Sequence, residues 1–301
     1  MQNYLFVHFR EKTTPDGEQV YFGISRDGFN WEALNDGQPV LWAYYGDHGV
    51  RDMTICRDKA TGRFHIFATD LSLSLGMRGK YNHSWRNINL HGSKDLAHWW
   101  SDDLVHWSEQ EMITFGDEGC GCIWAPDIIY DPENEDYVLH WSYCHADNNY
   151  GPMAIYYSRT KDFVNYTKPE LLYRKEDSGC IDSAMYEEDG KYYLFVKSEG
   201  NPHRMIELVS DHVTGPWTRV EAFDKSMEAV QAGGKAGGNG AFTAQDVNRS
   251  LVVHVQGDVG HHIGIDRVIG QQDGSRLDSC QVGTGQRVGE VQRGSDDDGA
   301  E

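Results

Sequence analysis

The sequence has few cysteines for its length, and their spacing does not indicate a metal site. Six cysteines occur in 301 residues, most of them in apolar, strand-like segments. Cys120 and Cys122 are separated by a single glycine and lack the second pair that a zinc site requires. The cysteines are therefore predicted to be reduced thiols with a structural role. Nothing in the sequence resembles a glycine-rich phosphate loop either, so no cofactor is predicted. No metal site is predicted.

Basic residues are scarce as well. The chain has 27 lysines and arginines against 47 aspartates and glutamates, a formal net charge of −20. This charge disfavours nucleic acids and anionic membranes as partners and suits a neutral ligand. No segment approaches 18 apolar residues, and the first residues, MQNYLFVHFREK, lack a basic stretch followed by a long apolar run. The chain is therefore expected to be soluble and cytoplasmic, without a membrane partner.

Aromatic residues are almost absent from the last 71 positions. Phe242 is the only one of 36 aromatic residues found there, whereas these positions hold 15 of the 33 glycines. Strand-like alternation persists only over residues 251–255 and 263–269. A composition that buries so little apolar area does not offset the entropy of ordering. Residues 230–301 are therefore predicted to be an atypical, poorly ordered region, and a change of reading frame is one hypothesis for its origin.

A hairpin motif occurs three times before residue 230. In residues 178–198 a short apolar strand leads to the turn Glu188-Asp189-Gly190 and then to a second strand, and an Asp-Gly pair between two such strands is a strong hairpin signal. The same unit recurs at residues 50–69 and 124–142. Repeats of about 50 to 75 residues with several short strands predict the blades of a β-propeller, here over residues 1–229.

A second motif, an aspartate followed by a tryptophan or tyrosine, accompanies the hairpins. We expect its aromatic ring to pack between blades and its aspartate to bind the turn. Its copies are Asp27 with Trp31, Asp103 with Trp107, Asp162 with Tyr166 and, more loosely, Asp211 with Trp217. A further hairpin, residues 4–9 and 19–24, is predicted to complete the last blade and so to close the ring. The long polar segment 71–90 is predicted to form a wall of the cavity mouth.

Two acidic residues stand at the start of the repeated hairpins. Asp52 and Asp182 are assigned to equivalent positions, which Pro126 occupies in the middle repeat. Because the first strands of propeller blades line the central channel, both carboxylates are predicted to face one cavity. The alternative is a structural role, since an aspartate at the start of a strand often binds nearby backbone.

Three segments resemble the blade openings of glycoside hydrolase family 43. They are GVRDMTI (residues 49–55), WAPDIIYD (124–131) and IDSAMYEEDGKYYLF (181–195), and the resemblance extends from residue 4 to about 229. It implies an all-β fold, a five-bladed β-propeller, of which the last one or two blades are expected to be degenerate or disordered. It also implies an inverting α-L-arabinofuranosidase or β-xylosidase acting on oligosaccharides or polysaccharides.

The resemblance assigns two catalytic residues and leaves one open. Asp52 is similar to the general base of the family, and Asp182 to the aspartate that orients the general acid and tunes its pKa. The acid of the family is a glutamate in a Glu-Gly-Pro or Glu-Ala-Pro phrase, and no such phrase follows Val230. The nearest glutamate is Glu228, so the acid is unassigned. Some relatives hold a calcium or other ion in the channel, for which no residue here is assigned.

Three further residues are candidates for contact with substrate. Trp124 is predicted to stack on a sugar ring, with packing in the core as an equal alternative. Asp127 and His8 are the other two. For Asp127 a hydrogen bond within its blade is favoured over substrate contact, and for His8 a buried structural position is favoured.

Other functions remain open from the sequence. One is a catalytically inactive sugar-binding propeller, and another is a truncated or frameshifted fragment. The related β-fructosidase propellers share the Arg-Asp phrase, but they usually show an Asn-Asp-Pro-Asn phrase near the N-terminus and a Glu-Cys acid motif, both absent here.

Overall fold

The strands form four antiparallel sheets, arranged as the blades of a β-propeller. The computed structural model describes residues 2–11, 14–200, 204–236, 251–258 and 262–268. The all-β propeller inferred from the sequence is confirmed. Within the part of the chain that the structure describes, the blades number four, where the resemblance implies five.

The strands are named in chain order and grouped by blade. Blade A begins with β1 (Gln2–His8), β2 (Tyr21–Ser25) and β3 (Trp31–Ala33). Blade B contains β4 (Val50–Arg57), β5 (Phe64–Asp70), β6 (Asp95–Ser101) and β7 (Glu111–Thr114). Blade C contains β8 (Cys120–Asp131), β9 (Asp136–His145), β10 (Ala154–Thr160) and β11 (Glu170–Tyr173). Blade D contains β12 (Cys180–Glu188), β13 (Lys191–Ser198), β14 (Arg204–Ser210) and β15 (Thr218–Arg219). The last two strands, β16 (Leu251–Asp258) and β17 (His262–Val268), belong to blade A.

Blade A unites both ends of the described chain. Its strand order is β17-β16-β1-β2-β3, and β1 pairs with β16 in an antiparallel register from Gln2 opposite Gln256 to Val7 opposite Leu251. The prediction that the N-terminal hairpin completes the last blade is thereby confirmed. The two tail strands coincide with the two alternating segments of the sequence. Most of the prediction for residues 230–301 lies outside the described residues.

Two α-helices occur in the described residues, one within blade B between β5 and β6 and one after blade D. Helix α1 (Trp85–His91) lies in the segment predicted as a long loop, and the Ser84 hydroxyl caps it by accepting a hydrogen bond from Asn87 N at 3.2 Å. Helix α2 (Glu221–Ala236) follows β15 and includes the change of composition near residue 230. No helix in the described ranges is long and apolar enough to cross a membrane.

The core consists of apolar layers between neighbouring blades. Blades A and B share a cluster that includes Leu5, Val20, Phe22, Ile55, Ile66 and Trp99. Blades B and C share one that includes Phe67, Leu96, Ile128, Leu139 and Trp141. Blades C and D share one that includes Val138, Ile155, Met185, Leu194 and Ile206. Each such side chain contributes roughly 1.5–3 kcal/mol by burial, so the packing between blades fixes the positions of their first strands.

The aspartates of the aspartate-aromatic motifs have the structural role predicted for them, whereas the packing of the ring between blades does not hold for Trp31, which packs on Phe6 of its own blade. The Oδ1 atoms of Asp27, Asp103 and Asp162 each accept two backbone N–H hydrogen bonds, at 2.7–2.9 Å. Trp107 of blade B packs on Phe22 of blade A, with ring centroids 5.7 Å apart. The looser copy differs, because Asp211 forms an ion pair with Lys191.

The described cysteines are free, as predicted. Those that lie in the described ranges are Cys56, Cys120, Cys122, Cys144 and Cys180, all of them buried except the half-buried Cys56. Burial raises the pKa of the Cys120 thiol to about 12, which makes it inert at neutral pH.

Candidate active site

The first strands of blades B, C and D share the same irregularity. In each of β4, β8 and β12 two residues have no partner on the neighbouring strand, and the first of the two has a positive φ. These first residues are Asp52 (φ 46°), Ala125 (φ 49°) and Asp182 (φ 54°). The equivalence of Asp52 and Asp182 is confirmed, but the middle position belongs to Ala125 and not to Pro126, because Pro126 is the second unpaired residue.

The backbone at two of these bulges is held by the preceding blade. Asp182 N donates a hydrogen bond to Ser142 Oγ on β9 at 2.8 Å, and Ala125 N donates one to Thr69 Oγ1 on β5 at 2.7 Å. A bulge residue lacks a partner in its own sheet, so its N–H needs an acceptor elsewhere. A hydroxyl group on the second strand of one blade thus fixes the bulge in the first strand of the next blade.

Asp182 forms an ion pair within blade D. Lys197 Nζ on β13 donates to Asp182 Oδ2 at 3.2 Å, and the two side chains are only 14% and 20% exposed, respectively. Lys197 stands opposite Ile181 in the register of β12 and β13, next to the bulge. No signal in the sequence singled out this lysine, since its contact depends on the bulge that turns Asp182 towards it.

Asp52 lies within electrostatic reach of Asp182. Burial raises the pKa of Asp52 to about 6, and the neighbouring carboxylates of Asp182 and Glu11 act in the same direction. Arg51 and Lys197 act in the opposite direction by favouring the charged form. The structure therefore brings together the two aspartates that the sequence placed at one cavity. An ordinary aspartate has a pKa near 4, so Asp52 is a markedly stronger base.

Arg51 is fixed by two glutamates. Its guanidinium donates to Glu18 Oε1 at 2.9 Å and to Glu11 Oε1 at 2.6 Å, and it stacks on the ring of Phe9 at 4.7 Å. These contacts hold the side chain of Arg51, the residue before Asp52, in one orientation. That side chain is only 12% exposed.

Glu18 also connects the site to the long segment after β5. It accepts hydrogen bonds from Ser72 Oγ, Leu73 N and both N and Oγ of Ser74, at 2.8–3.0 Å. Burial alone disfavours its ionisation, but the hydrogen bonds to Ser74 and Leu73 and the charge of Arg51 together keep the pKa of Glu18 below its usual range. The segment predicted to wall the cavity is therefore bound, through Glu18, to Arg51, the residue before Asp52.

Trp124 lies next to the bulge residue Ala125 on β8. It is half-buried, and its ring meets that of Trp85 edge to face, with centroids 6.3 Å apart. Trp85 is the first residue of α1 and is 54% exposed. Trp124 also packs against a small cluster that contains Ile181, the residue before Asp182. Contact of Trp124 with a sugar stays a prediction, and Trp85 joins it as a candidate that the sequence did not reveal.

His8 and Asp127 have the structural surroundings that were favoured for them. His8 is buried, and its ring stacks with those of Phe6 and Tyr21 at 4.6 and 5.6 Å. Burial lowers the pKa of His8 to about 4, so its imidazole is neutral. Asp127 is buried and accepts hydrogen bonds from the first strands of both neighbouring blades. These contacts do not support substrate binding by either residue.

The nearest glutamate to the expected position of the general acid lies on a helix. Glu228 is an exposed residue of α2 and pairs with Arg204 at 2.7 Å. Within the described ranges, no group of three or more His, Cys, Asp and Glu side chains is placed to hold a metal ion.

A family model, a curated protein and several solved structures are similar to this chain. Residues 1–267 match a family model described as "Probable glycosyl hydrolase domain", which is related to glycoside hydrolase family 43. A curated α-L-arabinofuranosidase of Bifidobacterium longum subsp. longum is 27% identical over 207 residues, which are 63% of this chain and 19% of the relative. The chain thus spans about a fifth of the length of that relative.

Two solved structures show the same fold. An endo-1,4-β-xylanase of Bacteroides thetaiotaomicron has a TM-score of 0.54 at 12% identity, covering 88% of this chain and 90% of its own. A putative exo-β-1,3-galactanase of Bifidobacterium bifidum has a TM-score of 0.52 at 12% identity, covering 72% of this chain and 66% of its own. At such low identity the likeness extends to the fold alone.

Proposed function

The chain belongs to the family of probable glycosyl hydrolase domains related to glycoside hydrolase family 43, and on this premise we propose that it hydrolyses arabinose- or xylose-containing saccharides with inversion at the anomeric carbon. The family makes carbohydrate the class of substrate. The identity of the sugar and the stereochemical course are the parts that we propose.

The observation that carries the proposal is the raised pKa of Asp52 beside Asp182. With a pKa of about 6, Asp52 is mostly ionised at neutral pH and yet accepts a proton more readily than an ordinary aspartate. That combination suits a general base, which takes a proton from water as the water oxygen bonds to the anomeric carbon. The bond between this carbon and the leaving oxygen breaks, and the leaving oxygen takes up a proton from a general acid.

Asp182 has a defined electrostatic part in this proposal. Its negative charge is one of the causes that raise the pKa of Asp52, and Lys197 holds its carboxylate in place. The same repulsion would raise the pKa of a carboxylic acid that faces the pair across the cavity. The resemblance assigns Asp182 such an influence on the general acid, which is unassigned in this chain.

The arabinose part of the proposal has support from the curated relative. That protein is an α-L-arabinofuranosidase, and its matched part has 27% identity with this chain. Trp124 offers an aromatic face beside the bulge, and pyranose or furanose rings stack on such faces through their C–H groups. We therefore place the sugar ring between Trp124 and the two aspartates.

The proposal is tested by turnover of 4-nitrophenyl α-L-arabinofuranoside and 4-nitrophenyl β-D-xyloside. We expect Asp52→Asn to lower kcat by about 10²–10⁴-fold, the usual contribution of general acid–base catalysis. Asp58→Asn is the matched control, because Asp58 is a buried aspartate just past the other end of β4 that binds turn residues. The first anomer released, observed by proton NMR, should have the inverted configuration.

A binding protein without catalysis is the second candidate. It is favoured by the position of Glu228, whose carboxylate pairs with Arg204 on an exposed helix. Calorimetry with arabino- and xylo-oligosaccharides separates the two functions. Binding with no turnover by the wild type would establish the second, whereas turnover that Asp52→Asn abolishes would establish the first.

A further inference from the structure

Asp127 connects the two strands that carry Asp52 and Asp182. Its Oδ1 accepts a hydrogen bond from Thr54 Oγ1 on β4 at 3.0 Å, and its Oδ2 accepts one from Met185 N on β12 at 2.9 Å. Thr54 lies two positions after Asp52, and Met185 lies three positions after Asp182. One carboxylate of blade C is therefore bonded to blades B and D at once.

A second route leads from Asp127 to the bulge in β12. His140 Nε2 lies 3.5 Å from Asp127 Oδ2, and His140 Nδ1 shares a hydrogen bond of 2.8 Å with Ser183 Oγ. Ser183 is the second unpaired residue of that bulge and directly follows Asp182. The three side chains of Asp127, His140 and Ser183 are all buried, so water does not compete for these contacts.

The two aspartates require such a connection. Two carboxylates at one cavity repel each other, and each occupies a backbone conformation that is unfavourable for most residues. Packing between blades holds β4 and β12 on either side of β8, and the hydrogen bonds of Asp127 to Thr54 and Met185, at 3.0 and 2.9 Å, add a directional contact to each. A single acceptor bonded to both strands limits the distance between them.

We propose that Asp127 is a positioning residue that sets the separation of the Asp52 and Asp182 carboxylates. The importance of this separation for catalysis rests on the function proposed above, but the separation itself does not. Asp127 touches no substrate in this scheme and acts through its hydrogen bonds to Thr54 and Met185.

The test compares two buried aspartates of the same strand. Asp127→Asn retains the shape of the side chain but removes its charge and leaves a single acceptor oxygen. Either the contact with Met185 N is lost, or the Thr54 hydroxyl must turn and accept from the new amide group, so the connection is weakened. Asp131→Asn is the matched control, because Asp131 also lies on β8, is 1% exposed, and binds Arg159 of its own blade at 2.9 Å. Both variants disturb a buried carboxylate of blade C, but only the first disturbs the connection between blades.

A milder pair of variants covers the case in which Asp127→Asn does not fold. Thr54→Val removes the hydroxyl donor to Asp127 at nearly constant volume, and Thr54→Ser retains it. We expect Thr54→Val to change the site in the same direction as Asp127→Asn, to a smaller extent, and Thr54→Ser to behave like the wild type.

The first measurement does not depend on turnover. Carbon NMR of ¹³C-carboxyl-labelled aspartate, with the Asp52 signal assigned by its loss in Asp52→Asn, follows the titration of Asp52. The charged groups that act on Asp52 are Arg51, Glu11, Asp182 and Lys197. A wider separation from Asp182 and greater access of water both lower the pKa of Asp52, so it should fall in Asp127→Asn and stay unchanged in Asp131→Asn.

The second measurement is the kinetic profile. We expect Asp127→Asn to lower kcat by about 10²-fold, which is the effect of a misplacement of about 1 Å. The acid limb of its pH profile should move to lower pH, as the NMR titration of Asp52 does. An Asp52 titration that is the same in Asp127→Asn, Thr54→Val and the wild type would overturn the proposal. If the wild type shows no turnover of any glycoside, the proposed function fails, and the NMR titration still decides the role of Asp127.

Discussion

Asp52 and Asp182 occupy the same position in two different blades, each as the first unpaired residue of a bulge, with φ of 46° and 54°. Aspartate is one of the few residues other than glycine that adopts this conformation readily. The bulge interrupts the alternation of inward- and outward-facing side chains along the strand, so the side chain at the bulge points in a different direction. The same local irregularity thus directs both carboxylates, and the propeller arrangement brings them to one place.

The raised pKa of Asp52 predicts the pH at which activity is lost on the acidic side, which is the acid limb of the pH profile. A general base must be ionised, so kcat/KM should fall as the pH decreases through about 6, with a tenfold loss for each further pH unit. An ordinary aspartate would give this limb near pH 4. The pH dependence of kcat/KM on the 4-nitrophenyl glycosides measures it, and a flat profile from pH 7 to pH 5 would contradict the assignment.

The same shift predicts that Asp52 destabilises the folded protein at neutral pH. The pKa of Asp52 is higher in the folded than in the unfolded protein, so protonation of Asp52 favours the folded state. This stabilisation is complete below the unfolded pKa near 4 and is lost as the pH rises through about 6. Asp52→Asn should therefore increase the free energy of unfolding at pH 7.5 by on the order of 2 kcal/mol and leave it unchanged below pH 4. Denaturant unfolding of both proteins at the two pH values tests this, and an equal difference at both would refute it.

Ser142→Ala should weaken both the fold and the site. It removes the acceptor of the half-buried Asp182 N–H, which costs about 1–3 kcal/mol in the free energy of unfolding. Thr69→Val is the matched control, because it removes the equivalent acceptor from Ala125, where no carboxylate is affected. We expect similar losses in thermal stability from both variants and a reduced kcat only from Ser142→Ala. Equal kcat values for the two variants would show that this hydroxyl does not position Asp182.

Lys197→Met should move the acid limb to higher pH. Lys197 favours the ionised form of Asp52, so its removal raises the pKa of Asp52 further. Lys191→Met is the control on the same strand, since Lys191 pairs with Asp211 at an exposed position. Rate profiles of the three proteins between pH 5 and pH 8 measure the shift, and a limb displaced to lower pH by Lys197→Met would disprove the electrostatic account.

Much of the fold follows from local sequence signals. The turn at Asp189 and Gly190, both with positive φ, closes the β12–β13 hairpin where the Asp-Gly pair predicts it. The aspartates of the repeated aromatic motif bind their turns because their acceptors and donors lie within three residues of each other. Such contacts are decided by neighbours in the sequence, so they can be derived without knowledge of the tertiary structure.

The details of the site were less accessible. From the sequence, Pro126 was assigned to the position equivalent to Asp52 and Asp182, one residue too late, because this position is set by a bulge that depends on the register of two strands. The acceptors Ser142 and Thr69 belong to the preceding blades, 40 and 56 positions away from the N–H groups they bind. Lys197, Trp85 and the role of Asp127 likewise emerge only when strands distant in the sequence are placed side by side.

The pairing of β1 with β16 has a consequence for how the chain folds. Partners in this ladder, such as Val7 and Leu251, are about 250 residues apart, so β1 emerges from the ribosome long before its second neighbour is synthesised. Until then one edge of the N-terminal strand stays open, while blades B, C and D can form from contacts made within short stretches of chain. Assembly of blade A is therefore the slowest step that the topology imposes, and deletion of β1, or of β16 and β17, would disrupt this sheet first.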